Sequence, residues 1–271
     1  MSITFSTCYY IIKSKFDHSV YIEWINHFLS IVNEFNLVIY TDEYTLQYIH
    51  TNENPRIRVI IKPIEAFYNY KYKEDWIKNH EKNYLLNNKI CWEVNMLWSE
   101  KVWFVNDTYK NQYFDTYMYG WCDIGYFRNR SNDTSINKLK QWASPDKISQ
   151  LNKDKIHYSI INNDASYMNE LFKIVNNKNE LGLPAYKIPE NQNSVAGGFF
   201  ILHKNLIDGW CKTYDMKLER YFKNDYLVKD DQIILIDCIL SELPRFQIHK
   251  EHFYQDGIVY DNWFMFQRIL Q

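Results

Sequence analysis

Short apolar segments alternate with a helical repeat through residues 3–61, and their order limits the possible folds more than any other feature. Ile3–Ile12, Leu37–Tyr40 and Arg56–Ile61 are rich in β-branched and aromatic residues, which predicts strands. Val20–Phe35 repeats its apolar residues at helical spacing. With a short helix after the second strand, the order is strand, helix, strand, helix, strand. This order is typical of a parallel α/β sheet, whose strands end at one ligand-binding edge.

The rest of the chain continues as one α/β unit, without an internal repeat or a hinge-like linker. The polar segment Asn129–Asp154 is expected on the surface, and Gly182–Asn193, which contains two prolines, in a loop. We predict a single domain over residues 1–271, with a mixed, mostly parallel sheet flanked by helices. Further strands are predicted before Asp123 and over Ile156–Ile161 and Val195–Leu202, and helices over Asp75–Leu86, Cys91–Tyr109, Leu206–Phe222, Asp230–Leu240 and Trp263–Leu270.

Composition argues against several classes of protein. The net charge of −2 argues against a nucleic-acid-binding surface, because nucleic-acid modules are usually basic. The five cysteines form no C-x-x-C pair, which indicates a reducing compartment. The chain shows no signal-peptide pattern and no apolar run of the ~18–20 residues that a membrane span needs. These features predict a soluble, cytoplasmic protein without a transmembrane segment.

Asp123 and Gly125 follow an apolar and aromatic segment in the middle of the chain. The seven glycines make neither a dinucleotide fingerprint nor a P-loop, so a bound nucleotide would be held by carboxylates, cations or a metal. Asp123 either caps a turn before Gly125 or binds Mg²⁺ or Mn²⁺, which prefer oxygen ligands and share them with phosphates. A single carboxylate leaves both interpretations open.

Asp230, Asp231 and Gln232 open a predicted helix. One Asp at this position is ordinary capping chemistry. Two adjacent carboxylates exceed that need, because like charges oppose each other. The second interpretation therefore makes one of them a general base or a cation stabiliser.

Several other positions have a structural and a functional interpretation. Gly197 and Gly198 fall inside a predicted strand, which indicates a bulge, a nearby ligand or a packed helix. Lys101 either extends along the surface of its helix or reaches a diphosphate. Thr7 and Asp42 either hydrogen-bond a base or ribose, or simply end their strands.

Two further patterns concern metals and nucleophiles. His252, close to His249, is a weaker candidate for a metal ligand, because Phe246–Glu251 is predicted to be extended rather than helical. The chain contains neither a G-x-S-x-G elbow nor an H-E-x-x-H motif. The sequence therefore lacks the motifs that usually indicate a serine hydrolase or a zinc protease.

With these residues in view, the chain resembles nucleotide-sugar glycosyltransferases of the GT-A type and, more narrowly, the HtrL/YibB-like family. The resemblance lies in short segments that occur in order along most of the chain. These are Ile3–Tyr10, Val38–Asp42, Asn95–Lys101, Tyr119–Gly125, Ala196–Phe200 and Asp230–Gln232.

The resemblance implies a Rossmann-like sheet with a nucleoside diphosphate sugar at its C-terminal edge. Thr7 and Asp42 would then face the nucleoside, and Lys101 the phosphates. Asp123 would stand where such enzymes carry the D-x-D motif that holds a cation, although Gly125 replaces its second Asp. A divalent cation, Mn²⁺ or Mg²⁺, would need a ligand from elsewhere, such as His252.

For the second half of the chain, the resemblance implies that Ala196–Phe200, with Gly197 and Gly198, lines the sugar pocket and that Asp231 is the catalytic carboxylate. Residues 1–125 would form the nucleotide-binding half and residues 126–271 the acceptor and catalytic half. The expected activity is transfer of a hexose from a UDP-linked donor to a glycan, protein or lipid hydroxyl. The alternative is a non-catalytic module that binds a nucleotide sugar or carbohydrate. A nucleotidyltransferase or phosphatase is a further alternative, but the carboxylate cluster or phosphate loop that such enzymes need is not evident in the sequence.

Overall fold

The computed structural model describes residues 2–251, 254–255 and 258–271. Its strands are β1 (Ile3–Cys8), β2 (Asn36–Thr41), β3 (Ile57–Ile61), β4 (Met118–Cys122), β5 (Ile156–Ser159), β6 (Phe199–His203), β7 (Phe246–His249), β8 (Tyr254–Gln255) and β9 (Ile258–Val259). Its α-helices are α1 (His18–Ser30), α2 (Glu43–Leu46), α3 (Lys73–Lys82), α4 (Trp92–Lys110), α5 (Pro145–Ser149), α6 (Ala165–Asn176), α7 (Ile207–Lys223), α8 (Asp231–Ser241) and α9 (Phe266–Ile269).

Seven strands form one sheet in the order β3-β2-β1-β4-β6-β5-β7. β3, β2, β1 and β4 are parallel neighbours, and β5 pairs in parallel with β7. β6 runs antiparallel to both β4 and β5 and joins the two parallel groups. The predicted single α/β domain, with a mixed and mostly parallel sheet flanked by helices, is therefore confirmed. β1 and β4, which precede the candidate site, end side by side at the same edge.

Buried side chains alternate between the two faces of the sheet, as the period of a strand requires. In β4, Tyr119 and Trp121 pack toward one hydrophobic cluster and Met118 and Cys122 toward another. The first cluster includes apolar residues of α4, α6, α7 and α8, and the second includes residues of α1 and the chain end. Strands buried on both faces explain why their sequences read as near-continuous apolar runs.

Two helices bring functional side chains to the sheet edge. α4 buries Val94, Met96, Val102 and Val105, and carries Lys101 into the interior with them. α8 is buried from Asp231 to Leu240, and its run of apolar residues is that of a buried helix. No helix among the described residues has both the length and the apolar character to cross a bilayer.

Two sequence predictions are wrong in detail. The segment Asn129–Asp154 is not purely a surface excursion, because Leu139, Trp142 and Ile148 are buried. Trp142 stacks on Phe5, with the ring centroids 5.3 Å apart. The Gly197-Gly198 pair lies before β6 rather than inside a strand.

Candidate active site

Lys101, Asp123 and Asp231, from three separate parts of the chain, meet around a single ammonium group. Lys101 Nζ lies 3.0 Å from Asp231 Oδ2 and 3.2 Å from Asp123 Oδ1. It also donates a hydrogen bond of 3.0 Å to the carbonyl oxygen of Gly197. We call Lys101, Asp123, Asp231 and Gly197 the Lys101 cluster. Its three ionisable groups together carry a charge of −1 when both carboxylates are ionised.

Asp123 is the member of the cluster that reaches solvent. Its side chain is 39% exposed, whereas that of Lys101 is 7% and that of Asp231 8% exposed. Asp123 Oδ1 accepts a hydrogen bond of 2.5 Å from the indole nitrogen of Trp121, two residues earlier on the same face of the strand. The backbone oxygen of Asp123, not its side chain, accepts the bond from Tyr126 N that closes the turn. Within the described part of the chain, the carboxylate is therefore used by the cluster rather than by a turn.

Asp230 and Asp231 stand at the start of α8, but the Asp230 side chain makes no capping hydrogen bond there. Its Oδ2 pairs with Lys229 Nζ at 2.8 Å. Its Oδ1 is buried without a hydrogen-bond partner among the described residues. A buried carboxylate oxygen normally has a hydrogen-bond partner, so this atom is an exception that helix capping does not explain. Capping thus does not account for the paired carboxylates.

The two glycines before β6 leave room for the two carboxylates. A Cβ on Gly197 would lie 2.7 Å from Asp231 Oδ2, and one on Gly198 would lie 3.0 Å from Asp123 Oδ2. Gly198 O also accepts a hydrogen bond of 2.8 Å from Asp123 N. Gln232 donates to Val195 O at 2.6 Å and fixes the start of α8 against this segment. Because neither glycine has a side chain, the backbone can approach the two carboxylates closely.

Burial and charge set the protonation of the Lys101 cluster. Burial raises the pKa of Asp231 to about 6, and Lys101 opposes the shift while Asp230 adds to it. Burial works to lower the pKa of Lys101, but Asp123 and Asp231 outweigh it, so its pKa is raised and the ammonium stays charged. Asp231 can therefore gain and lose a proton close to neutral pH, which suits a general base.

The cluster lies in the wall of a cavity of about 490 Å³. Asp230, Gln232 and Gly198 line the same cavity. The remaining wall is strongly aromatic and includes Tyr9, Tyr10, Phe16, Tyr21, Trp24, Trp98, Trp121, Tyr126, Trp263 and Phe264. The wall also includes the basic residues Lys15, Arg128 and Arg130. A cavity with acidic groups, basic groups and flat rings suits a polar ligand that also has rings.

No protein-family model matches the chain, and no curated protein matches it in sequence. The chain is similar to a solved structure. This is the galactosyltransferase LgtC in complex with donor and acceptor sugar analogues. The similarity covers 88% of this chain and 70% of LgtC, with a TM-score of 0.40 and 13% sequence identity. The narrower HtrL/YibB-like membership receives no support from these comparisons.

The described residues do not by themselves complete a cation site. Among them, no three His, Cys, Asp or Glu side chains come together as metal ligands. Asp123 Oδ1 is already engaged by Trp121 and Lys101, and Asp231 is held by Lys101. The candidate ligand His252 lies outside the described residues. A bound Mn²⁺ or Mg²⁺ would thus depend on more than the Lys101 cluster.

Thr7 and Asp42 lie outside the cavity wall. Thr7 is buried in β1 with its hydroxyl unpartnered among the described residues, whereas its neighbour Cys8 lines the cavity. Asp42 accepts a hydrogen bond of 2.6 Å from Thr45 N and caps α2. The structure thus brings together Lys101, Asp123, Gly197, Gly198 and Asp231, but not these two.

Sequence reasoning missed two kinds of site residue. One is the aromatic wall, because its rings come from segments far apart in the chain. The other is Arg128, which lines the same cavity and donates a hydrogen bond to Gly125 O, two residues after Asp123. Its position three residues after Gly125 was a usable signal, since an arginine close to the end of a ligand-binding strand can bind an anionic group.

Proposed function

We propose that this protein is a glycosyltransferase. It moves a hexose from a nucleoside diphosphate sugar, in this case a UDP-linked hexose, to a hydroxyl group of the acceptor. The observation that carries the proposal is the meeting of Lys101, Asp123 and Asp231 in the wall of one cavity at the edge where β1 and β4 end. Ligands of open α/β sheets bind outside the carboxyl ends of the strands. The partly exposed carboxylate of Asp123 offers the cavity an acceptor for a sugar hydroxyl.

Asp231 is the proposed catalytic carboxylate. As the nucleoside diphosphate leaves, positive charge builds up on the sugar ring, as in other glycosyl chemistry. In an inverting reaction, Asp231 takes the proton of the acceptor hydroxyl. In a retaining reaction, its negative charge stabilises the oxocarbenium-like ring. A pKa of about 6 leaves Asp231 largely ionised at pH 7.5, as either role requires.

Lys101 has a positioning role in this proposal. Its ammonium is shared between Asp123 and Asp231, so it fixes the distance between the two carboxylates. A rigid pre-organised site needs no rearrangement when charge develops during the reaction. Residues 1–125 supply Lys101 and Asp123 as the nucleotide-binding half, and residues 126–271 supply Gly197, Gly198 and Asp231 as the sugar and acceptor half.

The nucleoside is proposed to lie along the end of β1. Cys8, Tyr9 and Tyr10 line the cavity there. Contacts of the nucleoside with Thr7 and Asp42 are also part of the proposal, but both residues lie outside the cavity wall. A metal role for Asp123 with His252 is part of the same proposal, and no catalytic step is assigned to it.

Asp231→Asn tests the proposal. The substitution keeps the size and most hydrogen bonds of the side chain but removes its basicity. We expect turnover of UDP-hexoses, by transfer or slow hydrolysis, to fall by at least ~10²-fold, the lower end of general acid–base contributions. UDP binding, measured by calorimetry, should stay within about threefold. In the wild type, kcat/KM should rise with pH through about 6, where Asp231 loses its proton.

Asp208→Asn is the matched control, because it makes the same exchange at an exposed position, where the side chain is 71% exposed. Unchanged turnover in Asp231→Asn would remove this residue from the mechanism. Binding of UDP-sugars without any turnover in the wild type would instead favour the non-catalytic binding module.

A further inference from the structure

Arg128 lies in an aromatic pocket on the cavity wall. The centre of its guanidinium group is 4.3 Å from the ring centroid of Trp24, 5.2 Å from that of Phe264 and 5.8 Å from that of Phe16. Its Nε donates a hydrogen bond of 2.8 Å to Gly125 O, in the turn that follows Asp123. Contacts with aromatic faces hold a guanidinium in place and leave its edge available for hydrogen bonds.

Arg128 has no acidic partner among the described residues, unlike the neighbouring arginine. Arg130 is paired with Asp133 at 3.1 Å and with Asp261 at 2.8 Å. The one protein hydrogen bond of Arg128 within the described part of the chain uses Nε, so both terminal nitrogens are left for a ligand. Burial lowers the pKa of Arg128 and Arg130 adds to the effect, whereas the more distant Asp123 and Asp133 oppose it. A half-buried guanidinium on a cavity wall, without a direct acidic partner among the described residues, favours an anionic ligand group.

Gly125 has no room for a side chain, because Trp24 packs against it. A Cβ on Gly125 would lie 2.6 Å from Cε3 and 2.9 Å from Cζ3 of Trp24, so the indole takes the space of any side chain at this position. A second carboxylate after Asp123 is thus sterically excluded, and the ring that excludes it is the one that supports Arg128. The guanidinium of Arg128 is instead held against this turn by its hydrogen bond to Gly125 O.

We infer that Arg128 is a diphosphate-binding residue, and that its guanidinium supplies positive charge to the leaving nucleoside diphosphate beside Asp123. The planar guanidinium presents two parallel donors, a geometry that matches two phosphate oxygens. This inference rests on the proposed function for the identity of the donor, but the binding of a diphosphate can be measured without any turnover.

The test is calorimetric binding in EDTA, with UDP, uridine and inorganic pyrophosphate as probes. Wild-type protein should bind UDP and pyrophosphate without added metal. Arg128→Ala should weaken both by at least ~10-fold, as for loss of a charge-assisted hydrogen bond pair, and leave uridine binding unchanged. Arg128→Lys keeps the positive charge but loses the planar guanidinium and its ring contacts. Its affinities for UDP and pyrophosphate should lie between those of the wild type and Arg128→Ala. The lysine variant also keeps the test valid if the alanine variant folds poorly.

Arg56→Gln is the control for net charge, because Arg56 is exposed and lies outside the cavity wall. Equal UDP affinities in wild type and Arg128→Ala would overturn the inference, and so would an equal loss of uridine and UDP binding. Failure of the proposed function has a different signature: UDP and pyrophosphate would still depend on Arg128, while no UDP-sugar would be turned over.

Discussion

Gly197 and Asp231 lie so close together that one added methyl group would push them apart. A Cβ at residue 197 would be 2.7 Å from Asp231 Oδ2 and 3.1 Å from its carboxyl carbon. If the Asp231 side chain turns to make room, its contact of 3.0 Å with Lys101 is lost. The position therefore couples backbone shape to the proposed chemistry.

Gly197→Ala should reduce both turnover and stability. A displacement of about 1 Å at a reacting group can cost ~10²-fold in rate, so we expect a loss of roughly 10- to 100-fold in kcat. Overpacking of this kind costs about 1–3 kcal/mol in the free energy of unfolding. Urea denaturation and steady-state kinetics on the same preparation separate the two effects.

Gly209→Ala provides the comparison for this variant. Gly209 lies within α7, and the nearest neighbour of an added Cβ would be Arg245 Nη2 at 3.5 Å, an ordinary contact. Replacing a helical glycine by alanine should stabilise the fold by about 0.5–1 kcal/mol and leave kcat unchanged. If Gly197→Ala behaved like Gly209→Ala in both measurements, the close approach of Gly197 to Asp231 would have no functional meaning.

At the scale of helices and strands, the sequence predicted the elements well and their contacts poorly. Periodicity located α4 and α8 within a few residues, because an apolar repeat depends only on local spacing. It did not reveal that Lys101 points into the interior, since a lysine on an apolar helix is usually solvated. Its burial depends on carboxylates that lie 22 and 130 residues further along the chain.

The burial of Trp142 was missed for the same reason. The segment around it is polar in composition, which correctly describes most of its residues but not the ones that reach Phe5. The paired glycines were assigned to a strand because apolar residues surround them. Their actual use, to admit Asp123 and Asp231, depends on partners that no local pattern contains.

The neighbouring strands β5 and β7 are joined by a histidine pair that gives the fold a pH dependence. His157 Nδ1 lies 2.9 Å from His249 Nε2, and His157 Nε2 lies 2.8 Å from Asn152 O. A carbonyl can only accept, so His157 Nε2 carries its proton and His157 Nδ1 accepts from His249. The contact has room for one proton between the two rings, so at most one ring can be charged. Burial lowers the pKa of His157 and takes that of His249 to about 4, so both rings are neutral near pH 7.

Stability should therefore fall as the pH is lowered from about 6.5 toward 4. In this window the two histidines are protonated in the unfolded chain but not in the folded pair, so acid favours unfolding. The His249 shift alone corresponds to about 2 kcal/mol between pH 7.5 and pH 5. Urea denaturation at both pH values gives the free energy of unfolding. Its decrease from pH 7.5 to pH 5 should be about 2 kcal/mol smaller in His249→Gln than in wild type. The exposed control His50→Gln should show the same decrease as wild type. Identical pH dependence in all three proteins would contradict a neutral pair.

At the scale of the whole molecule, the cavity draws its wall from nearly the full length of the chain. Tyr10 follows the first strand, Lys101 lies on α4, Gly198 precedes β6 and Phe264 is near the end of the chain. These parts are connected by one sheet and by a core on each of its faces. A ligand in the cavity should consequently stabilise the protein as one cooperative unit.

Ligand-dependent melting tests this coupling and the proposed function together. A ligand present at 100 times its Kd should add about 2.7 kcal/mol, which corresponds to a rise in Tm of roughly 5–10 °C for a domain of this size. We expect this shift with UDP and UDP-hexoses, a smaller one with uridine and none with free hexose, because only the first two reach both Arg128 and the end of β1. The UDP shift should persist in EDTA, since Arg128 is a fixed cation. A shift that occurs only when Mn²⁺ is added would transfer the role of Arg128 to a metal, and an equal shift with every nucleoside and sugar would mean that the cavity does not recognise the diphosphate.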